Sequence, residues 1–185
     1  MTTIYFVRHA QPDYLNHDDM SRELTPQGME DRKKVTTFLK DKNVNVVLSS
    51  PYKRAMDTVR DFANSANLPV ISVPDFRERK VDSGWIEDFD SFCKQQWADF
   101  DYKLSDGETL RQVQIRNIAA LEKVLDEYAG KVVVVGGHGT AISTVMNYYD
   151  PGFGYESFER IRNRMPWVVR MDFDDHECLK IEECI

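Results

Sequence analysis

The stretch IYFVRHAQPD, Ile4 to Asp13, is an apolar run that stops abruptly at an arginine followed by a histidine. A second stretch, VVVVGGHGTAI from Val132 to Ile142, is again an apolar run, and it ends at a histidine flanked by glycines. Strands of continuous valine and isoleucine, with no polar alternation, belong to sheets buried on both faces. Such sheets bind ligands at the carboxyl ends of their strands, where the strand order reverses. Arg8-His9 and His138 both fall at such ends.

The rest of the chain fits that frame. The expected strands are Ile4–Val7, Val44–Ser49, Pro69–Val73 and Val132–Val135, and helices alternate with them. Thr25 is a plausible N-cap with Pro26 at the first helical position, which opens a helix to about Asp41. Ser50 and Pro51 make the same signal for the next helix, whose Ala55, Val59, Phe62, Ala63 and Ala66 fall at helical spacing. Ser105-Asp106-Gly107-Glu108 reads as a capping box before a long helix. Short helices are expected over about Thr140–Tyr148 and Glu156–Arg162, and a hairpin over Trp167–Phe173 and Glu177–Glu182. The fold class expected is α/β, three-layer, with a mostly parallel central sheet and helices on both faces. Residues 83–105, rich in aromatics and acids, read as an insertion in a single domain spanning 1–185; Trp85, Phe89, Phe92, Trp97 and Phe100 either form an apolar lid over the strand ends or pack the insertion on the sheet.

Composition narrows the function. The chain has 185 residues, enough for one sizeable core. Its net charge of −7 argues against nucleic-acid binding. No apolar run is long enough for a membrane span, and no signal peptide is read, so a cytoplasmic protein is expected. Cys93, Cys178 and Cys184 have no metal or disulfide spacing. Histidines and arginines gathered at one sheet edge of an acidic protein make a local cationic pocket. Arg8 and Arg54 present forks that match phosphate oxygens. The helix after Gly137-His138-Gly139 directs free backbone N–H groups to the same place. A neutral imidazole is a nucleophile near pH 7.

These residues carry a resemblance. Arg8-His9-Ala10, Leu24-Thr25-Pro26-Gln27-Gly28, the segment from Ser49 to Thr58, Asp106-Gly107-Glu108-Thr109 and Gly137-His138-Gly139 occur in order. Together they resemble the histidine phosphatase superfamily, the phosphoglycerate mutase-like proteins. The resemblance implies a metal-independent phosphatase that hydrolyses a phosphomonoester through a phosphohistidine on His9. It implies Arg8, Arg54, Asn16 and Gly139 as phosphate-binding residues. His138 would stabilise the transferring group, and Glu78 would be the proton donor, with Glu87 as its rival. No metal or cofactor is implied. The partner implied is a small-molecule phosphate ester or other phosphorylated substrate, with an oligomer left open. The alternatives are a phosphoglycerate mutase and a non-catalytic phospho-ligand binding protein. Arg160, Arg162 and Arg164 are candidates for a second anionic group, with a solvated helix face as the other reading.

Overall fold

The computed structural model describes residues 1–185. Six strands form one sheet in the order β3-β2-β4-β1-β5-β6. They are β1 (Thr2–Arg8), β2 (Val46–Ser49), β3 (Val70–Ser72), β4 (Val132–Gly137), β5 (Trp167–Asp174) and β6 (Glu177–Glu183). The first four run parallel, and the β5–β6 hairpin adds an antiparallel edge beside β1. Both faces are covered, as the unbroken apolar strands require. Along β1, Ile4 and Phe6 enter one core, and Tyr5 and Val7 enter the other. Helices α1 (Pro26–Leu39) and α2 (Lys53–Ser65) close the second core with Val35, Leu39, Val59 and Phe62. Helices α3 (Phe89–Ala98), α4 (Leu110–Glu127), α5 (Gly139–Tyr149) and α6 (Tyr155–Ile161) close the larger one. No helix is long and apolar enough to cross a membrane.

Register places the site. Arg8 of β1 pairs with Gly137 of β4, and Ser49 of β2 pairs with Gly136. The three strands therefore end level, and the residues after them meet at one edge. Gly136 is needed there, because a Cβ would lie 2.7 Å from Ser49 Oγ.

Two helix starts differ from expectation. Ser50 does not cap α2: Tyr52 stands at the N-cap, while Ser50 Oγ accepts from Tyr52 N at 3.2 Å and contacts His138. The capping box of α4 is Thr109–Gln112 rather than Ser105–Glu108. Glu108 serves elsewhere. Its carboxylate accepts from Arg116 Nε and Nη2, both at 2.9 Å, and from Lys80 N at 2.9 Å. Arg116 then donates to the carbonyls of Asp75, Arg77 and Glu78. The 106–109 segment is thus a brace for the chain around Glu78. It lies so close that a Cβ on Gly107 would fall 2.1 Å from Val81 O.

Most aromatics of the insertion pack on the larger core. Phe92 and Trp97 are buried in the larger core, and Phe89 and Phe100 pack against it. Arg79, 2% exposed, pins α3 by donating to Gln96 Oε1 at 2.7 Å and lying over the rings of Phe89 and Phe92. Only Trp85 remains largely exposed among its tryptophans and phenylalanines. The arginines of the 160–164 segment are paired: Arg160 and Arg164 with Glu183, Arg162 with Asp90 and Glu159.

Candidate active site

At the shared edge, the rings of His9 and His138 meet edge to face with centroids 5.4 Å apart. Both are almost completely buried. His9 Nδ1 lies 2.8 Å from Ala10 O. A carbonyl can only accept, so Nδ1 carries the proton and, in a neutral ring, Nε2 keeps its lone pair. The ring is held neutral: burial first, then the guanidiniums of Arg54 and Arg8, push His9 well below the ordinary imidazole value. His138 is pushed down in the same way, by burial and then by Arg54 and His9. Its Nε2 lies 2.8 Å from Ser50 Oγ, while its Nδ1 is buried without a partner in the chain.

Two neutral buried histidines make stability depend on pH. The unfolded chain protonates both rings below about pH 6.5 and the folded chain does not, so stability falls as pH drops through that value. Between pH 7.5 and 5.5 the expected loss is about 1 kcal/mol per ring, a few kcal/mol for the pair. Exposed His176, raised by its bond to Asp126, works in the opposite sense as a weak surface pair. Chemical denaturation at the two pH values measures the difference; equal stability at both would mean that the folded rings take up protons as the unfolded ones do.

Arg8 reaches across to the 161–164 turn, where Nη1 donates to Ile161 O at 2.9 Å and Arg164 O at 3.2 Å. Its Nε is buried and without a partner. Gly139 is the surface on which this guanidinium lies: a Cβ there would sit 2.8 Å from both Arg8 Cζ and Nε. Gly139→Ala is therefore expected to shift Arg8 by a fraction of an ångström, its Nη1 being held. If the edge hydrolyses a phosphate ester, as the resemblance implies, the expected result is a fall in kcat/KM for an aryl phosphate of roughly ten- to a hundredfold, with the circular dichroism spectrum unchanged. Unchanged kinetics would show that the position of Arg8 is immaterial.

Glu78 is brought to the same edge, but not in the way the helix-terminus expectation describes. Its carboxylate accepts from Thr140 N and Ala141 N, each at 3.2 Å, and from Arg79 N at 2.8 Å. Two of the free amides at the start of α5 therefore hold Glu78, and are not available to a phosphate. Glu87, its rival, is exposed on the stretch before α3.

Asn16 is not brought to the histidines. Its Nδ2 donates to Glu23 at 2.8 Å and its Oδ1 accepts from Asp18 N at 3.0 Å, so both ends of its amide organise its own loop. That loop instead supplies two residues that motif reading missed. Arg22, 7% exposed, is near enough to help depress His9. Asp19 accepts from Arg22 Nη1 at 3.0 Å and from Arg54 Nη2 at 2.9 Å through the same Oδ1. Tyr52 completes the wall, with its ring 5.2 Å from His138 and beneath Arg54. The rim is a stack of His17 on Trp85, with centroids 4.2 Å apart. The grooves along α4, of about 280 and 330 Å³, hold none of these residues and are apart from this chemistry.

The chain is similar to known proteins along most of its length. The chain is 26% identical over 156 residues to the uncharacterized phosphatase PhoE of Bacillus subtilis, covering 82% of this chain and 79% of that protein. It is 24% identical over 193 residues to the probable phosphoglycerate mutase GpmB of Shigella dysenteriae, covering 95% and 86%. Its fold is similar to that of a phosphoserine phosphatase mutant from Entamoeba histolytica, solved in complex with phosphoserine, with a TM-score of 0.79. That match has 18% identity and covers 98% of this chain and 96% of that one. The family model described as "Histidine phosphatase superfamily (branch 1)" matches residues 4–182, and the chain belongs to that family.

Proposed function

We propose that this chain hydrolyses a phosphomonoester without a metal, through a phosphohistidine on His9. In the first step His9 Nε2 attacks phosphorus and the bond from phosphorus to the leaving oxygen breaks. Glu78, as the carboxylic acid, gives that oxygen its proton. In the second step the Glu78 carboxylate takes a proton from water. The water oxygen attacks phosphorus, the phosphorus–nitrogen bond breaks and inorganic phosphate leaves. Arg8 and Arg54 bind the phosphoryl oxygens, and His138 stabilises the transferring group.

The observation that carries this reading is the state of His9. A proton fixed on Nδ1 by Ala10 O, in a ring kept neutral by burial and two arginines, leaves Nε2 as the nucleophile. The unpartnered Nδ1 of His138 offers a further contact to a phosphoryl oxygen. The names of similar proteins, a phosphatase and a phosphoserine phosphatase, favour a small phosphate ester as substrate.

The test is hydrolysis of p-nitrophenyl phosphate in the presence of EDTA. Turnover that survives chelation is expected; turnover restored only by added metal would reject this mechanism. The likeness to GpmB keeps a phosphoglycerate mutase as the second reading. It requires transfer between positions of phosphoglycerate to outpace release of inorganic phosphate, which the same preparation can be assayed for.

A further inference from the structure

Arg54 is 3% exposed, although its role requires contact with a ligand. Its face lies over the Tyr52 ring, and its fork is taken by one residue of the segment between β1 and α1. Arg54 Nη1 donates to Asp19 O and Nη2 to Asp19 Oδ1, so one whole edge of the fork is held by residue 19. The same Oδ1 accepts from Arg22 Nη1. A single carboxylate thus bridges two buried guanidiniums, as an oxygen of a phosphate would.

The segment is built to hold this position and to give it up. Its neck is clamped: Pro12 bridges Leu24, and Asp13 N donates to Glu23 O at 2.8 Å. Its tip is loosely attached. Leu15 is 90% and Met20 60% exposed, and the Asp19 side chain itself is 41% exposed. Beyond residue 19, its anchors are a bond from Lys53 N to Met20 O and the stack of His17 on Trp85, with Arg22 over Trp85. Arg22 does not depend on the Asp19 side chain for its place in the segment, because its Nε and Nη2 are held by the carbonyls of Asn16 and His17.

We propose that Asp19 is a displaceable internal anion, and that Arg22 is a third guanidinium of the phosphate site. The Asp19 carboxylate stands where a phosphoryl oxygen goes, and binding exchanges one for the other. Asp19 therefore sets the affinity of the site, and Arg22 binds the incoming group together with Arg54. This rests on the reading of the edge as a phosphate site, but not on turnover.

Titration calorimetry with inorganic phosphate tests it on the intact chain. Asp19→Asn keeps the side-chain shape and removes the competing charge; it should bind phosphate about tenfold more tightly than wild type, a gain of ~1.4 kcal/mol. Asp18→Asn removes the same charge one residue away, from a carboxylate that faces Ser21 instead of Arg54, and should leave affinity unchanged. Arg22→Gln should weaken binding about tenfold in the Asp19→Asn background. Equal or weaker binding in Asp19→Asn overturns the proposal, as does equal tightening in Asp18→Asn, which would be a general charge effect. No effect of Arg22→Gln overturns the role of Arg22. No phosphate binding by any of the proteins overturns both. If Asp19→Asn tightens binding while no protein turns over an ester, the internal anion stands and the hydrolase reading fails. If the proteins turn over an ester and Asp19→Asn leaves affinity unaltered, the hydrolase reading stands and the internal anion fails.

Discussion

His9→Ala is expected to lower hydrolysis of p-nitrophenyl phosphate by at least ~10³-fold, because it removes the proposed nucleophile. The fold should survive. The lost ring makes one hydrogen bond, to its neighbour's carbonyl, and the strand that carries it is paired on both sides. Phosphate binding should also survive, since Arg8 and Arg54 remain. Two further readouts separate a lost nucleophile from a disturbed site. Wild type quenched during turnover should carry an acid-labile, alkali-stable phosphoryl group, and the variant none. The variant should also lose about half of the destabilisation that wild type shows between pH 7.5 and 5.5, because one of its two neutral buried rings is gone. Turnover equal to wild type would mean that His9 is not the nucleophile. An intact protein with neither turnover nor an altered pH dependence would mean that its ring is not held neutral.

Much of this arrangement was legible because strand ends are governed by short-range rules. An apolar run reports burial on both faces, and the residue that ends it lies at the sheet edge whichever helix follows. Hence Arg8, His9 and His138 could be placed together, and Thr25 with Pro26 caps α1 as its side chains predict. Ser50 and Glu108 misled for a common reason. Each has the side chain of a cap, but each is engaged by a distant partner: Ser50 by His138, Glu108 by Arg116 and Lys80. Local propensity loses where a tertiary bond uses the same oxygen. Glu78 shows the same limit. Helix α5 presents free amides at its N-terminus, as any helix does, but only the three-dimensional fold shows that Glu78 takes two of them. Asp19 and Arg22 were not legible at all. They lie in an aperiodic loop, and what they touch depends on where α2 carries Arg54. Of the two readings of the aromatics of residues 83–105, packing on the sheet holds for Phe89, Phe92, Trp97 and Phe100, while Trp85 stays exposed.

Glu78→Gln should divide substrates by their leaving groups. The glutamine keeps one oxygen, which can still accept from Ala141 N and Arg79 N, and loses the bond from Thr140 N; the brace of Arg116 on the Glu78 carbonyl is a backbone contact that the change does not touch. What it cannot do is give or take a proton. A nitrophenolate leaves without one, so formation of the phosphohistidine from p-nitrophenyl phosphate should be slowed only modestly. An alkyl phosphate expels a strongly basic alkoxide, and there the loss should be roughly 10²–10³-fold. Dephosphorylation needs the carboxylate as a base for both substrates, so the variant should release nitrophenol in a burst and then turn over slowly. The pattern is specific to an acid–base group. A carboxylate that only anchors α5 would, when replaced, slow both substrates alike and give no burst. Glu87→Gln is the matching comparison. Glu87 is exposed on the stretch before α3, so this change should leave both substrates at wild-type rates. A leaving-group dependence in Glu87→Gln and none in Glu78→Gln would move the proton donor to the lid. It would also require the segment around Trp85 to close over His9 during the reaction.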